Sequence, residues 1–120
     1  MPAVLIVEDH EQTRALLSRV FAARGWDVRE SATVAEGIAA LEPPPECVVI
    51  DLVLPDGDGA EVLEKIRVDA LPARVVVVAT GVSDPIRLQA VSALGPDLII
   101  QKPFDWEILG RYCQWELRHE

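Results

Sequence analysis

Basic residues are scarce: eleven Lys and Arg stand against twenty Asp and Glu, a formal charge of −9. A chain so acidic lacks the positive footprint that binding a phosphate backbone requires, so no direct contact with nucleic acid is expected. Long apolar runs are also missing. The longest near the start, Ala3-Val4-Leu5-Ile6-Val7, has no basic region before it and ends at Glu8-Asp9. It fits neither a secretion signal nor a membrane span, which needs about 20 apolar residues, and a cytoplasmic location is expected. The two cysteines, Cys47 and Cys113, are far apart in sequence and match no metal or redox spacing. They are read as buried, reduced thiols. No Gly-x-Gly-x-x-Gly or Gly-x-x-x-x-Gly-Lys-Ser/Thr follows the first apolar run, and Glu8-Asp9 would repel a nucleotide phosphate there. There is no repeat, linker or low-complexity stretch.

What is present is alternation. Ala3–Val7, Cys47–Ile50, Val75–Ala79 and Leu98–Ile100 are near-continuous apolar runs, as in parallel strands covered on both faces. Trp26-Asp27-Val28-Arg29 alternates, which predicts an edge strand. Helical stripes lie between: Leu16, Leu17, Val20 and Phe21; Val62, Leu63 and Ile66; Ile86, Ala90, Val91 and Leu94. Another helix spans Val34–Leu41 and stops before Pro43-Pro44-Pro45. Gly25 suits the end of the first helix, Asp84-Pro85 an N-cap and first helical residue, and Asp105 the cap of a last helix running toward Leu117. Five β–α pairs in residues 1–120 predict one domain, a three-layer α/β sandwich with its site beyond the carboxyl ends of the strands.

Those strand ends carry Glu8-Asp9, Asp51, Thr80 and Lys102-Pro103. Each has a plain explanation alone. Asp9-x-x-Gln12 fits a helix capping box, Asp51 can open a turn toward Pro55-Asp56-Gly57, Thr80 can simply end a strand, and Lys102 can be solvated. His10 and His119 are read as exposed bystanders. Together, however, three carboxylates at one edge repel one another unless a cation sits among them, and all-oxygen ligands suit Mg²⁺. A Lys and a hydroxyl facing a metal-bound carboxylate are equipment for handling a phosphoryl group, with a carboxylate oxygen as acceptor.

In this order, Val-Glu-Asp, Val-Val-Ile-Asp-Leu-Val-Leu-Pro-Asp-Gly-Asp-Gly, Ala-Thr-Gly and Lys-Pro-Phe resemble a response-regulator receiver domain of two-component signalling along essentially the whole chain. The resemblance implies a flavodoxin-like five-stranded parallel sheet of order 2-1-3-4-5. It implies that Asp51 accepts phosphate from a phosphohistidine on a sensor histidine kinase or phosphotransfer protein, as a switch that catalyses its own phosphorylation and dephosphorylation. It further implies Mg²⁺ held by Asp9 and Asp51 side chains, by the Val53 carbonyl and by Glu8 through water. Lys102 would pair with the phosphoryl group, Thr80 would turn to hydrogen-bond it, and N–H groups near Leu52 and Gly81 would complete the cradle.

Three positions depart from that pattern. Ile99 replaces the usual aromatic three residues before the Lys, which removes an aromatic-rotamer relay. Gly81 replaces the commoner Ala and should loosen its loop. Pro96 should stiffen the turn into the last strand. Two rivals remain for comparison. A haloacid-dehalogenase-type phosphatase needs a second Asp where Val53 stands, and a degenerate receiver would bind partners without phosphorylation. On the last helix, Trp106, Ile108, Leu109, Tyr112, Cys113, Trp115 and Leu117 cover an arc of roughly 200°, more than docking on a sheet requires. Trp106, Tyr112 and Trp115 are therefore expected to serve a homodimer or output partner. Sequence leaves open whether the chain stands alone or is a piece of a longer regulator.

Overall fold

A computed structural model describes residues 2–103 and 105–114. In chain order the elements are β1 (Ala3–Val7), α1 (Glu11–Ala22), β2 (Asp27–Ser31), α2 (Val34–Ala39), β3 (Cys47–Ile50), β4 (Val53–Leu54), β5 (Gly57–Asp58), α3 (Ala60–Val68), β6 (Val75–Thr80), α4 (Pro85–Ser92), β7 (Leu98–Gln101) and α5 (Trp106–Cys113). Five strands pair in parallel in the order β2-β1-β3-β6-β7, while β4 and β5 form a separate two-residue antiparallel hairpin. Counting the main sheet alone, this is the expected order 2-1-3-4-5.

Because successive strand residues point to opposite faces, the runs of Val, Ile and Leu feed two cores. Leu5, Val7, Val48, Ile50, Val76 and Val78 pack with Val62, Leu63 and Ile66 of α3 and Val91 of α4. On the other face Val4, Ile6, Cys47, Val49, Val75 and Val77 meet Leu17 and Phe21 of α1 and Leu109 and Cys113 of α5. The sheet is therefore covered on both sides, which is why its central strands show no polar alternation.

Local chemistry adjusts the expected boundaries. Trp26 is not in the edge strand: its N–H bonds the Phe21 carbonyl at 3.2 Å, so its backbone closes α1, and the ladder to β1 begins at Asp27. Its indole is buried edge-on to Phe21, with centroids 5.2 Å apart. Gly25 turns the chain there at φ 86°. α2 stops at Ala39, and Leu41 closes the turn by bonding the Ile38 carbonyl. The capping box that Asp9 could form alone does not form: His10 is the N-cap of α1, its ring accepting from the Thr13 N–H. Asp84 and Asp105 cap α4 and α5 as expected, with Pro85 first in α4.

Two helical stripes bury less than their spacing predicts. Leu16 is exposed beside buried Leu17, and α4 buries Val91 alone while Ile86 is 79% exposed. A stripe drawn from sequence assumes a centred helix, and α4 lies over the sheet between β6 and the edge strand β7, where little apolar surface remains to cover. α5 buries Leu109, Gly110 and Cys113 and ends with Gln114 in the left-handed region. The expected continuation toward Leu117, with Trp115 and His119, lies outside the described residues, as does Phe104.

Candidate functional site

Register brings the site together. Val7 is level with Ile50, and Ile50 with Val78, so the residues that follow β1 and β3, Glu8 and Asp51, emerge side by side. Thr80 ends β6 opposite Gln101, and Lys102 follows directly. Glu8, Asp51 and Thr80 are buried polar residues, whereas Asp9 is exposed. Each of Glu8, Asp9 and Asp51 offers one carboxylate oxygen, and the three oxygens lie within 4.8 Å of one another.

Lys102 bridges two of the carboxylates. Its Nζ hydrogen-bonds Glu8 Oε1 and lies 3.2 Å from Asp51 Oδ2. Burial pushes the Glu8 carboxyl up, and the nearby Asp51 charge adds to this. The Lys102 hydrogen bond and the His10 N–H, 3.1 Å from Oε2, pull the other way without cancelling the rise. For Lys102 burial opposes the charge, but the Glu8 hydrogen bond and the Asp51 carboxylate outweigh it and raise the ammonium above its ordinary value. Two acids and one ammonium in a half-buried edge thus form an acid-rich cluster that still favours added positive charge.

The loops are held by groups that sequence reasoning did not single out. Arg14 of α1 donates to the Glu8 carbonyl at 2.9 Å and the Asp9 carbonyl at 3.5 Å, and pairs with Glu30 at 3.2 Å. Thr80 Oγ1 accepts from the Val82 N–H at 3.0 Å, while the Gln101 side chain donates to the Val82 carbonyl at 2.9 Å. The β6–α4 loop is therefore tied to both β6 and β7. Asp56, in the hairpin turn, accepts from the Val34 and Ala35 N–H groups at 2.7 and 3.0 Å, and these bonds hold its carboxyl below its ordinary value. Arg87 of α4 reaches Asp58 at 3.0 Å. No sequence spacing marks the Arg14–Glu30, Gln101, Asp56 and Arg87 contacts, because they join segments far apart in the chain.

Glycine marks one close approach. A Cβ on Gly59 would lie 1.8 Å from the Asp51 carbonyl oxygen, so α3 starts hard against the backbone at the end of β3. At Gly81 a Cβ would meet nothing within 4 Å. Val53 sits two residues past Asp51 at the start of the hairpin with its side chain exposed, and Val82 is half-buried in the β6–α4 loop. A shallow pocket of about 190 Å³, lined by Thr13, Leu16, Lys102, Pro103 and Trp106, flanks the lysine on the α1–α5 side. Hard carboxylate oxygens drawn from two strand ends match the donor set that Mg²⁺ prefers. No helix among the described residues is long and apolar enough to cross a membrane.

Comparison with known proteins agrees with this arrangement. Residues 4–112 match the family model described as the response regulator receiver domain. The transcriptional regulatory protein KdpE of Mycobacterium tuberculosis is 36% identical over 113 residues, 92% of this chain and 49% of that protein. The photosynthetic apparatus regulatory protein RegA of Rhodovulum sulfidophilum is 36% identical over 105 residues, 87% of this chain and 57% of that protein. The chain thus spans about half the length of these relatives. Among solved structures, the signal receiver domain of a putative Luxo repressor protein from Vibrio parahaemolyticus superposes with a TM-score of 0.84 at 25% identity, covering 96% of this chain and 88% of that one. A CheY-like receiver domain protein from Methanospirillum hungatei gives 0.82 at 25% identity, covering 97% of each.

Proposed function

The chain belongs to the response regulator receiver domain family, and from that premise we propose that residues 1–120 form the phosphoacceptor switch of a two-component phosphorelay, with Asp51 as acceptor. The observation that carries this reading is the convergence of Glu8, Asp9 and Asp51 with Lys102 Nζ on two of those carboxylates.

An Asp51 carboxylate oxygen bonds to phosphorus as the bond from phosphorus to the donor imidazole nitrogen breaks, the nitrogen leaving with the electron pair. The donor is a phosphohistidine on a sensor kinase or phosphotransfer protein. Asp9, Asp51, the Val53 carbonyl and Glu8 through water would hold Mg²⁺, which would neutralise charge on the phosphoryl oxygens. Lys102 supplies a second positive charge, and its strengthened ammonium stays protonated throughout. Thr80 accepts one hydrogen bond and keeps its own proton to donate. Turning that hydroxyl toward a phosphoryl oxygen breaks the bond to Val82 and draws the β6–α4 loop inward. The loop leads into α4, and the α4–β7–α5 side also exposes Ile108 and Tyr112. This side is the proposed surface for a second copy or an output partner, with Trp106 at its edge.

Incubation with acetyl phosphate and Mg²⁺ followed by intact mass spectrometry tests the assignment. One phosphoryl increment, lost in Asp51→Asn, is expected. No increment in the wild type would leave a receiver that binds partners without phosphorylation.

A further inference from the structure

The two cysteines that sequence spacing left unrelated meet in the fold. Cys47 opens β3 and Cys113 closes α5, and their sulfurs are 3.2 Å apart in the core, both fully buried. A disulfide needs about 2.05 Å, so closing the pair takes only about 1 Å of movement. One side chain guards the spot. Arg74 donates to the Cys113 carbonyl at 2.7 Å and to Gln114 Oε1 at 3.1 Å, while its Nε lies 3.4 Å from Glu46, the neighbour of Cys47. It thus clips the end of α5 to the start of β3, directly over the sulfurs.

We propose that Cys47 and Cys113 are a two-electron oxidation site for hydrogen peroxide, forming an intramolecular disulfide that staples α5 to the sheet. Cys47 lies inside the sheet, whereas Cys113 is the last residue of α5, so when that helix end lifts the first oxidation falls on Cys113. The Cys113 sulfur attacks one peroxide oxygen, the O–O bond breaks, and the sulfur becomes a sulfenic acid as the first water leaves. The Cys47 sulfur then attacks the Cys113 sulfur and a second water leaves. Two thiols lose two protons and two electrons, and one hydrogen peroxide takes them up to become two waters. Because the partner sulfur is already in contact, the sulfenic acid is captured before it can oxidise further. Access requires the end of α5 to lift, and the Arg74 clip sets how often it does.

The test is treatment of the full chain with hydrogen peroxide, followed by intact mass and peptide mapping without reductant. The expected product is a monomer lighter by two hydrogens, with the peptides holding Cys47 and Cys113 joined. Its melting temperature should rise by several degrees and return with dithiothreitol. Cys47→Ala should show neither the loss of hydrogens nor the rise. Arg74→Ala should give the same product several-fold faster. Oxygen adducts without the two-hydrogen loss, disulfide-linked dimers, or thiols that survive in Arg74→Ala would overturn the site. An unchanged melting temperature would overturn the staple, and an equal rate in Arg74→Ala would overturn the gate.

Discussion

Two glycines near Asp51 make opposite demands. Gly59 has no room for a side chain because the Asp51 carbonyl occupies it. Gly59→Ala is expected to displace α3 or the acceptor strand and to lower both the melting temperature and acetyl phosphate labelling. Gly81 faces open space and lies outside the left-handed region, so Gly81→Ala should fit. By restricting the unfolded chain it should stabilise by about 0.4–1 kcal/mol in denaturant titrations. Sequence flagged Gly81 as a looser residue but gave no sign of the constraint at Gly59, since a close approach depends on the neighbouring backbone. Hydrolysis of an aspartyl phosphate needs an oriented water. The resemblance places Val53 and Val82 beside its path, and neither side chain can hydrogen-bond one. A long phosphoryl lifetime is therefore expected, shortened several-fold by Val53→Asn or Val82→Glu in a decay assay. Unchanged decay in both would reject the argument.

Among the elements, α4 is the least anchored. Val91 is its one buried residue, its Asp84 cap is exposed, and Arg87 ties it to the hairpin through a partly exposed ion pair. Such pairs contribute about 0–1 kcal/mol. Amide exchange in α4 should be faster than in α1 or α3, and protection there should rise on phosphorylation; uniform protection across the three helices would contradict this. α2 depends on a distant group, because Asp56 caps its first N–H groups across the hairpin. That carboxyl is held below the ordinary value of 3.8. Its contribution is complete above that value and disappears as pH falls through the lower folded value. Exchange at Val34 and Ala35 should accelerate over that acidic window, and Asp56→Asn should flatten the pH dependence. Apolar runs made the five main strands legible in sequence, and end signals the caps of α4 and α5. The capping box that Asp9 could form alone is not used, because His10 accepts that bond one residue later, and the short hairpin was hidden because two-residue strands have no period.

At the level of the whole molecule, the sequence revealed the sheet order through resemblance and the two-sided burial through composition. It brought Glu8, Asp9, Asp51, Thr80 and Lys102 to one edge because parallel strands end together. It did not reveal the meeting of Cys47 with Cys113 or the ties of Arg14 and Gln101, which depend on how helices seat on the sheet. Net charge matters here too. With a formal charge of −9 and three carboxylates within 4.8 Å, a divalent cation should raise the melting temperature. Asp9→Ala should abolish that rise and the phosphoryl labelling while leaving the cation-free melting temperature equal or higher, since Asp9 is exposed and caps nothing. A large loss of cation-free stability would contradict this.

Lys102 and Glu8 stand 94 residues apart. Chains are synthesised from the amino end, so the carboxylates at β1 and β3 exist on the ribosome well before β7 delivers the ammonium beside them. The half-made chain holds these carboxylates without their lysine, and Asp51 acquires its full surroundings only when β7 docks beside β6. The last strand of the sheet to be translated thus completes the charge balance of the carboxylate cluster.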